Sequence, residues 1–245
     1  MKIIGATTRS ALPRRRRGFS LSEILIATAI LGVGLVMVMA VFPAAIETNR
    51  DSTNDVVGTM ICQNTLGVIK SEMTPTILTA AGITGTSFGT TLVPLGALDQ
   101  TYPMGDANMF RGSIALARRM TLGPNVYDYQ FVIVSYLKTG TNNQVRAFVL
   151  TGSLDANAMT FTAGSTVYLR LGSPLIDPAT GAYAKIVSFS GSTVTLDHPI
   201  DRSRAGTTIT NPLVIVETDS GGTTALPIPI SPATRVLVAR AAWRQ

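Results

Sequence analysis

The sequence predicts an α+β protein, with one long N-terminal helix, apolar enough in its first half to cross a membrane, joined to a mainly antiparallel β remainder. Three observations carry this. Residues 24–46 read ILIATAILGVGLVMVMAVFPAAI without a formal charge. From Ile46 to Met73 apolar residues recur at helical spacing until Thr74-Pro75 disfavours further helix. From Tyr127 onward β-branched and aromatic residues alternate in short runs separated by turn residues. The chain has 245 residues, 46% hydrophobic and 14% charged, so it can build a packed core and does not have a disordered composition.

The first 18 residues hold Lys2, Arg9, Arg14, Arg15, Arg16 and Arg17 and no acid. Removing those six from the 20 Lys and Arg leaves 14, equal to the 14 Asp and Glu, so the leader supplies the whole net charge of +6. A neutral remainder lacks the basic footprint of a nucleic-acid binder, and no such partner is assigned. The four consecutive arginines, Arg14 to Arg17, act instead as a topology signal. Positive charge stays on the cytoplasmic side, which places everything after about Arg50 across the membrane. The uncharged run makes a helix of about 34 Å at 1.5 Å per residue, long enough for a hydrocarbon layer of about 30 Å.

Two export readings fit this stretch. In one it is a cleaved signal peptide, since Arg16-Arg17-Gly18-Phe19-Ser20-Leu21 loosely fits a twin-arginine pattern and Val38-Met39-Ala40 offers a small-residue cut. Against it, the apolar run exceeds a usual signal core and Glu23 sits at its cytoplasmic edge. In the other, Glu23 has a purpose. A carboxylate bordering a membrane helix is costly without a partner, and a cut between Gly18 and Phe19 creates one, an α-amine that is cationic near neutral pH.

The arginine-rich leader, Gly18, Phe19, Ser20, Leu21, Glu23 and the apolar helix resemble the class III signal of type IV pilins and pseudopilins, over about Arg14 to Met73. The resemblance implies a pilin-like fold and a prepilin peptidase that cuts after Gly18 and methylates the new Phe19 terminus. It implies that Glu23 docks one subunit on another. The implied partners are other pilin or pseudopilin subunits through the N-terminal helix, membrane lipid before assembly, and a membrane assembly platform with its ATPase. The implied location is the cytoplasmic (inner) membrane, single-pass with the N-terminus inside. The family's helix-bending proline stands nearer the start than Pro43, which removes one backbone donor and is expected to kink the helix near Met39. Gly32 and Gly34 fit either close helix packing or the ordinary glycine content of membrane helices.

Beyond Pro43, Ile46, Val57, Met60, Ile61, Asn64 and Val68 fall on one expected helical face, with Glu47, Arg50, Asp51, Asp55 and Lys70 toward water. Residues 75–125 read as loops with short elements, and Ile114 to Met120 fits either a short helix or a strand edge. Arg118 and Arg119 are expected on a solvated face. Strands are expected at Gln130 to Leu137, Gln144 to Thr151, Thr166 to Leu171, Ala184 to Ser190, Ser192 to Asp197, Leu213 to Thr218 and Thr234 to Ala241. Turn chemistry at Thr139 to Asn143 and Ser190 to Ser192 suggests hairpins between neighbours. The organisation expected is a removed leader at 1–18, a membrane and assembly helix at 19–46, an amphipathic continuation at 47–74, and a β head at 75–245 with an extra β subdomain at about 152–212.

No catalytic constellation is legible: there is one histidine, no G-x-S-x-G and no phosphate loop. Cys62 stands alone, so it forms no intramolecular disulfide and reads as a buried thiol. His198 reads as a turn residue. Asp197, Asp201, Glu217 and Asp219 offer oxygen ligands, but their spacing matches no calcium loop, so no metal and no cofactor are expected. The expectation is a non-enzymatic pilin-like subunit. The alternative is an exported soluble β-rich binding protein released by a conventional or twin-arginine signal peptide.

Overall fold

The computed structural model describes residues 18–80, 83, 92–95, 100–102, 110–121, 126–222, 224–227 and 231–244. Helix α1 runs without interruption over Leu21–Glu72, and by packing the chain divides after Asp51 into a stem and a body. The stem is helical from Leu21 on, and all its described residues up to Arg50 are exposed.

The body begins with the rest of α1. The helix stops at Glu72 because Thr74 precedes a proline, yet the chain starts a second helix at once, α2 at Pro75–Ala80. Proline suits the first helical position, where no N–H is needed, and Thr74 Oγ1 caps the turn by accepting from Ile77 N at 3.4 Å. The loop expected after Met73 is therefore partly helical.

Strands follow in chain order: β1 (Val93–Pro94), β2 (Gln100–Tyr102), β3 (Arg111–Thr121), β4 (Val126–Leu137), β5 (Gln144–Val149), β6 (Ser153–Asp155), β7 (Thr160–Thr162), β8 (Pro174–Ile176), β9 (Tyr183–Ser190), β10 (Thr193–Leu196), β11 (Thr208–Thr210), β12 (Leu213–Thr218) and β13 (Ala233–Arg244). The first sheet has the order β1-β3-β4-β13, and β2 joins the edge of β3 that β1 also occupies. A second sheet has the order β5-β12-β8-β9-β10-β7, and β6 pairs with β11 in a separate ribbon. All pairings are antiparallel. The fold is α+β, as the sequence predicts.

The first sheet is covered on both faces, and alternation along β4 assigns the sides. Tyr129, Phe131 and Ile133 pack with Cys62, Ile69, Met73 and Leu78 of the helical layer. Val132, Val134 and Tyr136 pack instead with Val145, Ile176, Leu213 and Ile215 of the second sheet. A third cluster, including Leu154, Phe161, Leu175, Val194 and Val214, fills the space between the second sheet and the β6–β11 ribbon.

The helix meets the first sheet through small and hydroxyl-bearing residues. Gly58, Ile61, Cys62, Thr65 and Ile69 are its buried positions, while Met60 and Asn64 face outward, so the expected face is rotated. A Cβ on Gly58 would lie 2.8 Å from Ser135 Oγ and 3.0 Å from Arg235 Cβ, which only glycine avoids. The hydroxyls of Thr65 and Ser113 bond at 2.7 Å across the same seam. Arg111 Nη2 donates to Asn54 Oδ1 at 2.8 Å, and Arg235 pairs with Asp55 at 2.8 Å. Close approach and hydroxyl bonding select this face over the more apolar one.

Four other expectations change. Residues 114–120 belong to β3, an interior strand. Arg118 is buried rather than solvated, and its Nε donates to Gln130 Oε1 at 2.6 Å. Arg119 is partly buried and lies over the Tyr127 ring at 4.5 Å. Thr166 to Leu171 forms no strand, because buried Arg170 gathers the carbonyls of Val167, Leu169 and Leu226 with its guanidinium. The Thr139 to Asn143 turn is not a hairpin, since it carries the chain from β4 in one sheet to β5 in the other. Buried Glu217 holds that turn: its Oε1 accepts from Thr139 N (2.8 Å), Thr139 Oγ1 (2.9 Å), Gly140 N (3.3 Å) and Asn143 Nδ2 (2.7 Å). The β9–β10 turn is a true hairpin.

Candidate functional site: the apolar stem and its first turn

The stem combines high hydropathy with complete exposure. Its most apolar window has a mean hydropathy of 2.7 and none of that window is buried. Leu21, Leu25, Ile30, Leu31, Val36, Met39, Val41 and Ile46 are all more than 60% exposed. So much contiguous apolar surface in one helix does not persist in water, so a bilayer or other helices must cover it.

The start of this helix is set by a reciprocal pair. Ser20 Oγ accepts from Glu23 N at 3.2 Å, and Glu23 Oε2 accepts from Ser20 N at 2.8 Å. Ile24 N donates to Ser20 O at 3.2 Å, the first full helical bond, so Ser20 is the N-cap and Glu23 is the third helical residue. Two orphan donors are thereby satisfied, and the carboxylate lies at the positive end of the helix dipole. Ser20 Oγ also lies 2.9 Å from Ser22 Oγ.

In the sequence Ser20 stands out as part of the leader motif, and the S-x-x-E spacing ahead of an apolar run is the signal for its capping role. Glu23 is held through Oε2 alone in this arrangement, and the residue as a whole stays exposed.

Gly18 and Phe19 precede the helix, and Phe19 is 84% exposed. Among the described residues, a Cβ on Gly18 would meet nothing within 4 Å. The same open space surrounds Gly32 and Gly34. Arg14, Arg15, Arg16 and Arg17 lie outside the described residues. Pro43 stands inside the uninterrupted α1, and Thr28 and Thr48 return their hydroxyls to backbone carbonyls one turn earlier, at 2.9 and 2.8 Å.

The acids considered for metal binding are dispersed into separate local roles. Asp197 accepts from Lys185 N at 2.7 Å and contacts His198 Nδ1 at 2.7 Å. Asp201 caps a short 3-10 turn, and the hydroxyl and N–H of Ser203 hold its carboxyl below the usual range. Glu217 fastens the β4–β5 turn, and Asp219 Oδ1 accepts from Thr224 N at 3.3 Å. Among the described residues, no group of three or more His, Cys, Asp or Glu comes together to hold a metal.

Comparison with known proteins points to the same stretch. A family model described as the prokaryotic N-terminal methylation motif matches residues 13–39. No curated protein and no solved structure matches the chain. The matched segment contains Gly18, Phe19, the Ser20–Glu23 pair and most of the apolar run, while the body lies outside it. Motif and apolar helix together mark a protein anchored in the inner membrane. The chain carries the prepilin-type signal of type IV pilins and pseudopilins.

Proposed function

We propose that this protein is a non-enzymatic, pilin-like subunit of a type IV pilus or secretion pseudopilus. Prepilin peptidase cuts after Gly18 and methylates Phe19, and the mature chain assembles through its apolar stem. The observation that carries this reading is an apolar helix left wholly uncovered by its own chain, which begins at one acid fixed in its first turn. Gly18 supports it, since a small residue against which none of the described residues packs suits recognition by a protease.

The chemistry is pairing and packing. Lipid tails are as apolar as these side chains, so moving stems from bilayer to bundle yields little hydrophobic energy. Specificity must come from close packing and from charge. The capping box leaves Glu23 Oε1 available to the Phe19 ammonium of a neighbour while Oε2 keeps the helix start closed. The Arg14 to Arg17 cluster retains the leader inside, so the body lies in the periplasm or beyond. Pro43 gives the stem a bend at the Met39 turn. Extraction from lipid then needs work from an assembly platform and its ATPase.

Mass spectrometry of the processed chain tests the reading. A mature terminus at N-methylated Phe19 is expected, and a terminus near Val41 would overturn it in favour of a released soluble protein. Glu23→Gln separates the two roles of that side chain. Glutamine also serves in a capping box, so helix start and membrane insertion persist while assembly falls.

A further inference from the structure

Between Met39 and Arg50 the stem carries a shallow groove. Met39, Phe42, Pro43 and Ile46 form its apolar floor, and Glu47 and Arg50 stand at its C-terminal end. Pro43 has no N–H, so the Met39 carbonyl cannot receive the usual helical bond from that residue. The groove thus joins an apolar floor to two acceptors, a backbone carbonyl and a carboxylate. Glu47 belongs to none of the three ion pairs among the described residues, although Arg50 follows three positions later.

What fits such a groove is an apolar ring carrying a positive charge at its base. From Phe19 to Ile46 the stem contains no lysine or arginine. Within those residues the one cation is the amine exposed by cleavage, and that amine sits on Phe19, a residue that is 84% exposed. Ring and charge on one residue complement floor and carboxylate in one groove.

We propose that the groove seats the N-terminal Phe19 of a second copy of this chain, its ring on Met39, Phe42, Pro43 and Ile46 and its ammonium facing Glu47. This rests on cleavage after Gly18, as argued above, and it fixes a second register between copies. Docking on Glu23 offsets two stems by four residues, about 6 Å, whereas docking at Glu47 offsets them by 28 residues, about 42 Å. Different neighbours occupy the two offsets, so one ammonium lies between Glu23 of one copy and Glu47 of another. Two acids then share each cation, and removing either one weakens the assembly.

Cysteine cross-linking of the full chain, in membranes that contain a prepilin peptidase, tests this. Ser20→Cys and Ile46→Cys are 26 residues apart on one uninterrupted helix, about 39 Å, so a disulfide between them links two copies. The native Cys62 is 1% exposed and does not compete. The double variant is expected to give a ladder of dimers and higher species above the background of each single-cysteine variant. Ser20→Cys with Val33→Cys is expected to give no such ladder, and adding Glu47→Gln to the first pair should weaken its ladder several-fold. A ladder at Val33 and not at Ile46, in material whose mature terminus is Phe19, overturns the groove and leaves the pilin-like reading standing. A ladder at Ile46 that Glu47→Gln does not change overturns the charge pairing. A mature chain that does not begin at Phe19 overturns both readings.

Discussion

The two halves of α1 differ in the opposite sense from simple hydropathy. The first half is the most apolar segment of the chain, and none of it is buried by the protein itself. The second half offers glycine, cysteine and threonine, and that half is buried, at Gly58, Cys62, Thr65 and Ile69. The difference separates two kinds of interface. Contacts made once, within a folding chain, use shape and hydroxyl bonds to bring backbones close. Contacts left for lipid or for other subunits use bulk apolar surface that the chain does not consume.

The sharpest way to break this contrast is one substitution made in both halves. Gly58→Leu places a side chain where a Cβ already lies 2.8 Å from Ser135 Oγ, and should destabilise the body by about 3 kcal/mol in denaturant unfolding. Gly32→Leu meets nothing within 4 Å and should leave that unfolding transition unmoved while altering subunit packing. Equal losses from both would mean that the stem is also packed by its own chain.

Two acids extend the comparison at smaller cost. Glu217→Ala leaves the amides of Thr139 and Gly140 and the side chain of Asn143 without their acceptor, a loss of about 2 kcal/mol. Glu23→Ala should not shift body unfolding at all, and its effect should appear only as reduced multimers in membranes. Ser20→Ala removes the N-cap acceptor and costs about 1 kcal/mol of helix start, read as faster amide exchange over the first turn, with Ser20→Thr restoring protection.

The smallest effect concerns Cys62, whose thiol is pushed up by burial against the partial opposition of a hydrogen bond from Ser135. The unfolded thiol therefore ionises first. Its contribution is complete below about pH 8.5, the ordinary thiol value, and is lost as the pH rises toward the folded one. Stability measured from pH 7 to 10 should fall more in the native chain than in Cys62→Ala.

Legibility followed the same division. In the stem, function depends on charge, length and a short motif, all of which are sequence properties, and only the Ser20 hydrogen bonds needed coordinates. Strands of the second sheet such as β9, β10 and β12 were legible from β-branched runs and turn residues. Strand β3 was not, because Ala115, Leu116, Ala117, Arg118 and Met120 are good helix formers, and pairing on both edges of the strand overrides that preference. The rotated helix face was hidden for a related reason. Gly58 contributes nothing to a hydropathy pattern, yet it marks where the sheet comes nearest. Segment 166–171 has strand composition, but the Arg170 guanidinium takes the neighbouring carbonyls of Val167 and Leu169 and ties them to Leu226, 56 residues away, a tertiary tie that local pattern does not carry.

The pairing of β13 with β4, continuous from Arg235–Ser135 to Arg244–Val126, has a consequence for biogenesis. Arg235 meets Ser135 across a hundred residues that hold the whole second sheet and the β6–β11 ribbon. The first sheet therefore closes only after all of those residues have been made, and its last seam carries a loop-closure cost that no local hairpin bears.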